Sequence, residues 1–178
     1  MIVVATGPSA SGKTTWCRRR FPANTVPEGA AELGESWPEF ASRRWAQAVR
    51  MEEERGLAVC DDDPLKLHYG WSLTRVGEMT RREWRDEVES HRAEVVAGRL
   101  GFADVVLVSA VVGEELRRRR NFELHVRLVE PLREWYRAVE QAGASRVVWE
   151  LPDGDVPISR GGRSSAALFD AVIRELPS

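Results

Sequence analysis

The sequence predicts an α/β fold of three layers, with a mostly parallel sheet of about five strands flanked by helices. Three observations carry this. Short β-branched apolar runs recur without polar alternation, as strands buried on both faces of a sheet do. Between them lie segments with capped starts and one apolar face. The two kinds alternate almost throughout the 178 residues, which favours parallel strands joined by right-handed crossovers. At 43% hydrophobic residues the chain can build one good core but not two ordinary domains. It contains no internal repeat, low-complexity tract or linker, so a single domain over 1–178 is expected.

The first element is IVVAT at 2–6, a buried strand, followed by a glycine loop and a helix over 13–20 that Pro22 stops. NTVPE is a short second strand ending at Glu28, and GAAELGE is loop. Ser36-Trp37-Pro38-Glu39 is a capping box with Pro in the first turn; Phe40, Trp45, Ala48 and Val49 share a helical face, and Gly56 ends the helix. LAVC at 57–60 is a strand running into Asp61-Asp62-Asp63-Pro64. Thr80 to Glu83 is a second capping box, opening a helix with Trp84, Val88, Val95 and Val96 inward and Gly98 at its end. ADVVLVSA at 103–110 is the next strand, followed by GEELRRRRN and a helical region over 122–142 that resets at Pro131 and closes at Gly143. RVVWEL at 146–151 is the last strand, PDGDVPISRGG is loop, and SSAALFDAVIREL is an amphipathic helix ended by Pro177.

Net charge is only −2 with charges spread along the chain, so nothing global points to nucleic acid or membrane, and any basic site must be local. Of 26 basic residues only Lys13 and Lys66 are lysines. A chain so biased to Arg that keeps Lys inside its glycine loop uses a compact, flexible ammonium there. Cys17 and Cys60 make neither a C-x-x-C pair nor a zinc spacing, and read as buried free thiols. The apolar start is five residues long, far short of a signal-peptide core or a membrane span, so a cytoplasmic soluble protein is expected.

Residues 7–14, GPSASGKT, match the pattern G-x-x-x-x-G-K-[ST] in the setting that pattern requires, after a buried strand and opening a helix. Glycines let the chain turn tightly while N–H groups converge on phosphate oxygens at a helix N-terminus. Gly7, Ser9, Ala10, Ser11, Gly12, Thr14 and Thr15 would line bound phosphate; Lys13 would reach the β- and γ-phosphates and the Thr14 hydroxyl would ligate Mg²⁺. ATP and Mg²⁺ are therefore the expected cofactors. An N-K-x-D guanine reader is absent, because neither lysine follows Asn, and the chain is too short for a mechanochemical ATPase. A small phosphotransferase remains, with an ATP-binding regulatory module as its competitor.

A kinase needs a carboxylate near the acceptor hydroxyl or the metal, commonly at the carboxyl end of a neighbouring strand. Asp61 stands there and could hold Mg²⁺ or take the acceptor's proton; Glu28 is the other candidate base. Asp63 before Pro64 reads equally as a helix N-cap. The run Arg117 to Arg120 follows a strand by a few residues, where arginines closing over the migrating phosphoryl group would stabilise its charge. A helix spreads four consecutive residues around its circumference, so one or two of them, with Arg117 and Arg120 as the candidates, would act from a lid around 113–122.

Taken in order, GPSASGKTT, the strand ending VPE, CDDDPLKLHYGW, DVVLVSAVVGEELRRRRN and VVWELPDGD resemble the thymidylate kinase and deoxynucleoside kinase branch of the P-loop kinases. The resemblance covers nearly the whole chain, and the phosphate loop is its specific part. It implies a nucleoside-kinase-like P-loop fold, Glu28 as base, Asp61 in the place of the acid of an acid-Arg pair, lid arginines among 117–120, and a loop from Pro152 to Asp155, including Asp153, against adenine. No Arg follows Asp61, so that pair has become acid-acid, and adjacent carboxylates disfavour a phosphorylated acceptor. The start, VATGPSASGKTTW, is also similar to small antibiotic-phosphotransferase-type and polynucleotide-kinase-type P-loop kinases.

The acceptor pocket is expected between the acidic turn and the helices near 37–49 and 71–97, where Trp37, Trp45, His68, Tyr69 and Trp71 are available. Stacking is one use for such rings, although core packing suits Trp45 and Trp84 better. His68 reads as a structural residue; His91 and His125 carry no signal. The expected activity is transfer of the γ-phosphoryl group of Mg-ATP to a hydroxyl of a small neutral acceptor, nucleoside-like or a natural product. A polynucleotide 5′-kinase is the alternative, disfavoured as a nucleic-acid partner by the net charge. A homodimer is compatible with these features.

Overall fold

A computed structural model describes residues 1–111, 113–118, 123–159, 161 and 163–177, with the backbone alone described at 113 and 117. The elements run β1 (Ile2–Thr6), α1 (Lys13–Arg20), β2 (Thr25–Val26), α2 (Trp37–Arg55), β3 (Ala58–Asp61), α3 (Leu67–Arg75), α4 (Arg81–Val96), β4 (Val105–Val108), α5 (Gly113–Arg118), α6 (Glu123–Arg127), α7 (Val129–Gln141), β5 (Arg146–Val148) and α8 (Ala166–Glu175). The strands form one parallel sheet in the order β2-β3-β1-β4-β5. The expected sheet is thus present, flanked by helices.

Alternate residues along each strand serve the two faces. Val3, Ala5, Val59, Val105 and Leu107 pack with Cys17 of α1 on one side. Ile2, Val4, Cys60, Val106 and Val108 join the larger cluster on the other side, which takes in Trp45, Trp71, Trp84, Trp135 and Phe169 from α2, α3, α4, α7 and α8. Both cysteines are free and buried. Both capping boxes form: the Ser36 and Thr80 hydroxyls accept from the backbone N–H of Glu39 and Glu83, whose carboxylates accept in return from the cap N–H groups. Gly56 ends α2 at φ 76°, where a Cβ would be strained.

Several expectations need correction. β2 covers only Thr25–Val26, because Pro27 has no N–H for the ladder, so Glu28 stands two residues beyond the strand. β3 extends through Asp61 itself. Val96 is 60% exposed, since its neighbour Val95 takes the inward position and adjacent helical residues cannot share a face. Asp63 does not cap a helix: α3 begins at Leu67 after Lys66, and the Asp63 carboxylate instead accepts from Leu65 N–H (3.0 Å) in a local turn. The helical region over 122–142, expected to reset at Pro131, is α6 followed by α7, with the break at Leu128 and Pro131 in the first turn of α7, where its missing N–H costs no hydrogen bond. The helical stretch expected near 71–97 is two helices, α3 and α4, and α3 begins four residues earlier at Leu67, where Gly70, Ser72 and Thr74 weaken the helical signal. Among the described residues no helix is long and apolar enough to cross a membrane.

Candidate active site around the phosphate loop

The carboxyl ends of β1, β3 and β4 open on one edge of the sheet, and the loop Gly7–Gly12 springs from the first of them. Gly7 has φ 145°, and a Cβ there would sit 2.8 Å from Ser109 Cβ, so only glycine lets the loop pass this close to the end of β4. Ala10 and Gly12 also have positive φ, and Ser11 N–H donates to Pro8 O (3.2 Å). Gly12 is the N-cap of α1, so the helix N-terminus faces the loop's interior. Lys13 is buried beneath, while Ser9, Ala10, Gly12 and Thr15 remain exposed on the rim.

Three carboxylates in a row take three different tasks. Thr14 Oγ1 donates to Asp61 Oδ1 (3.1 Å), so the hydroxyl and carboxylate expected at a metal lie side by side. Burial pushes Asp61 above the usual carboxylate range, against the opposing Thr14 hydrogen bond and Lys13 charge. Two adjacent hard oxygens next to a phosphate loop suit Mg²⁺, which typically takes one or two protein ligands and completes its shell with phosphates and water. Asp62 turns into the site, accepting from Thr6 Oγ1 (2.9 Å) and Lys66 Nζ (2.6 Å). Burial would raise its pKa, but the charges of Lys66, His68 and Lys13 hold it well below the usual range. Asp63 points back into the protein and accepts from the buried Tyr136 hydroxyl (3.0 Å), and burial pushes both groups up.

Lys66 is the residue that sequence reasoning missed. Its ammonium bridges Glu28 Oε1 (2.7 Å) and Asp62 Oδ2 (2.6 Å), and although burial pulls its pKa down, those partners leave it raised. The signal was available: both lysines of this arginine-rich chain line the same cavity. Lys66 (φ 56°) and Asp62 (φ 70°) also hold left-handed backbone, which non-glycine residues adopt at a cost of order 1 kcal/mol. An arginine from another element braces the backbone of the acidic turn. Arg44 of α2, 1% exposed, donates through Nη2 to Asp61 O (2.8 Å) and Asp62 O (3.1 Å). Arg44 and Lys66 thus offset part of the negative charge that the sequence concentrates in this turn. His68, also buried, has Nε2 3.7 Å from Asp62 Oδ1; burial lowers its pKa against the pull of Asp62 and Asp63.

Two depressions flank the loop. A cavity of about 390 Å³ is lined by Gly7, Pro8, Ser9 and Lys13, by Glu28, Asp62, Lys66 and His68, and by Trp37, Tyr69, Ser72, His125, Leu128 and Leu132. It lies against the start of α2, α3 and α7, while α4, Trp45 and Trp71 contribute nothing to its wall; the tryptophans are core residues, 4% and 6% exposed. On the opposite side of the loop, a depression of about 750 Å³ is lined by Ser11, Gly12, Thr15, Trp16, Arg19, Arg20, Leu151 and Asp153. The loop after β5 is pinned there by Trp16 Nε1 to Pro152 O (3.0 Å) and Arg20 Nη2 to Gly154 O (2.7 Å). Arg118 is exposed and pairs with Glu115 (3.4 Å). Arg119 and Arg120 lie outside the described residues, as does the side chain of Arg117, so the expected lid contacts are not among those described.

Sheet order, loop and helix placement define a P-loop kinase fold of the deoxynucleoside-kinase-like kind. Among solved structures the chain is similar to deoxyadenosine kinase from M. mycoides with bound dATP, with a TM-score of 0.58 and 11% identity over 88% of this chain and 93% of that one. No protein-family model and no curated protein matches the chain.

Proposed function

We propose that this chain, acting as one kinase domain over residues 1–178, moves the γ-phosphoryl group of Mg-ATP to a hydroxyl of a small acceptor that carries no phosphate, nucleoside-like or a natural product. One observation carries the reading. Lys13 belongs both to the phosphate loop and to the wall of the cavity that Glu28 and Asp62 face, so the γ end of a loop-bound triphosphate would meet an acceptor held there. The similar fold of a deoxyadenosine kinase supports the nucleoside-like form of the acceptor.

In this scheme the amides of Gly7 and of residues 9–15 cradle the phosphates, and Lys13 contacts the β- and γ-phosphates. Thr14 and Asp61 would hold Mg²⁺, which would supply neutralisation of phosphate charge when bound. Asp61 points at Thr14 and takes no part in lining the cavity, and Asp62 is buried and held by Thr6 and Lys66, so the more exposed Glu28 is assigned to accept the acceptor's proton as the new O–P bond forms and the bond to ADP breaks. Lys66 positions Glu28. Arg117 and Arg120 are assigned to the charge on the migrating group, and the depression beside Trp16 and Asp153 to the purine.

The test is Lys13→Ala assayed by acceptor-stimulated ADP release across a nucleoside panel. A fall in kcat of at least about a hundredfold with an unchanged melting temperature is expected, and unchanged turnover overturns the assignment.

A further inference from the structure

We infer that the acceptor carries an amino group and that Glu87 of α4 receives it; the inference rests on the acceptor cavity proposed above. Glu87 borders a side chamber of about 50 Å³ whose other walls are Trp37, Lys66, Tyr69, Gly70, Leu73 and Met79. Trp37, Lys66 and Tyr69 also wall the acceptor cavity, so the chamber adjoins it. Gly70 is what admits the carboxylate: a Cβ there would sit 2.6 Å from Glu87 Oε2.

The carboxylate has neither a hydrogen bond nor an ion pair among the described residues, although its own helix carries Arg81, Arg82, Arg85 and Arg92. Leaving such a group half-buried and unpartnered is costly, and burial pushes its pKa up to about 7. A purely structural carboxylate in so arginine-rich a chain would be expected to have found a guanidinium. Lys66 does not serve, because its charge is matched by Glu28 and Asp62. Glu87 is thus the one unmatched charge among the residues lining the chamber.

The remaining walls suit the same occupant. Trp37 is 53% exposed and Tyr69 40% exposed, and such rings stabilise an ammonium or stack on an aromatic amine. The chamber is small beside the main cavity, so it suits a substituent such as an amino or aminomethyl group while the rest of the acceptor fills the larger cavity. The amino group donates its N–H bonds to the Glu87 oxygens, and an alkylammonium and the exocyclic amine of a nucleobase share that chemistry.

The experiment titrates three matched pairs, benzylamine against benzyl alcohol, glucosamine against glucose and adenosine against purine riboside. Ligand-observed NMR without ATP is applied to wild type, Glu87→Gln, Glu87→Leu and Gly70→Ala. At least one amino member should bind the wild type about tenfold more tightly than its partner. That preference should fall below about twofold in Glu87→Leu and in Gly70→Ala, whose methyl displaces the carboxylate. Collapse in Glu87→Gln identifies an ammonium, and retention there an aromatic amine. No amino member binding below about 10 mM, or a preference that survives both Glu87→Leu and Gly70→Ala, overturns the inference. Binding is read without turnover. Amine selectivity without acceptor-stimulated ADP release would remove the kinase reading alone, and turnover without amine selectivity would remove this inference alone.

Discussion

Replacing Lys66 by Met removes one ammonium and leaves two carboxylates behind. The Asp62 side chain is 7% exposed and keeps, among the described residues, the Thr6 hydroxyl, the charge of Lys13 and a His68 whose burial disfavours its charged form. Breaking a buried pair by deleting one partner costs about 3–5 kcal/mol, because the remaining charge is desolvated without compensation. Met at a φ of 56° is no better or worse placed than Lys, so backbone strain cancels. The effect carries a pH signature. In the wild type Asp62 is depressed below its unfolded value near 3.8, so the pair contributes stability that is present above that pH and lost as pH falls further. In the variant, burial raises Asp62 instead, so its protonation on acidification relieves the penalty. The stability gap should be greatest near pH 7 and narrow toward pH 4. Urea denaturation at both values measures it, with about 3 kcal/mol expected at pH 7, or roughly 6–12 °C in melting temperature for a domain of this size. A gap below about 1 kcal/mol at pH 7, or one that does not change with pH, would refute the geometry of the turn. Lys66→Met should also lower kcat, since it frees Glu28, and because Lys66 walls the acceptor cavity the acceptor KM should rise with it.

The other predictions separate the carboxylates. Asp61→Asn should weaken Mg²⁺ dependence and cost about a hundredfold in kcat, whereas Asp63→Asn should cost chiefly stability, about 1–2 kcal/mol, through Tyr136 and the Leu65 turn; equal losses of activity would show that the wrong carboxylate holds the metal. Glu28→Gln should lower kcat about a hundredfold without loss of ATP affinity, and unchanged kcat would remove it as the base. Glu87 is raised from 4.5 to about 7 on folding, so the unfolded chain binds fewer protons than the native one in that interval and stability falls as pH rises through it. Glu87→Gln should therefore stabilise the ligand-free protein at pH 8, by about 3 kcal/mol at most, and flatten the profile between pH 4.5 and 7; destabilisation at pH 8 would show that the carboxylate has a partner.

What the sequence determined by itself was local. A G-x-x-x-x-G-K-T run after a β-branched strand, two capping boxes and the alternation of apolar runs with amphipathic segments depend on residues within a few positions of each other, and these placed the sheet, the loop and the helices around it. Asp61 and Glu28 were visible for the same reason, as acids at or near strand ends. The tertiary structure decided how the charges pair. Arg44 reaches Asp61 and Asp62 from the preceding helix, Tyr136 reaches Asp63 from 73 residues away, and Lys66 draws Glu28 across 38 residues to Asp62. No spacing rule encodes such contacts, because each depends on which helix face meets which strand end once the layers have packed. The same physics made Val95 rather than Val96 the inward residue and turned Asp63 away from the cavity. Glu87 looked like any carboxylate on a charged helix; the bare backbone of Gly70, brought against it by packing α3 on α4, sets its carboxylate in the side chamber next to the cavity.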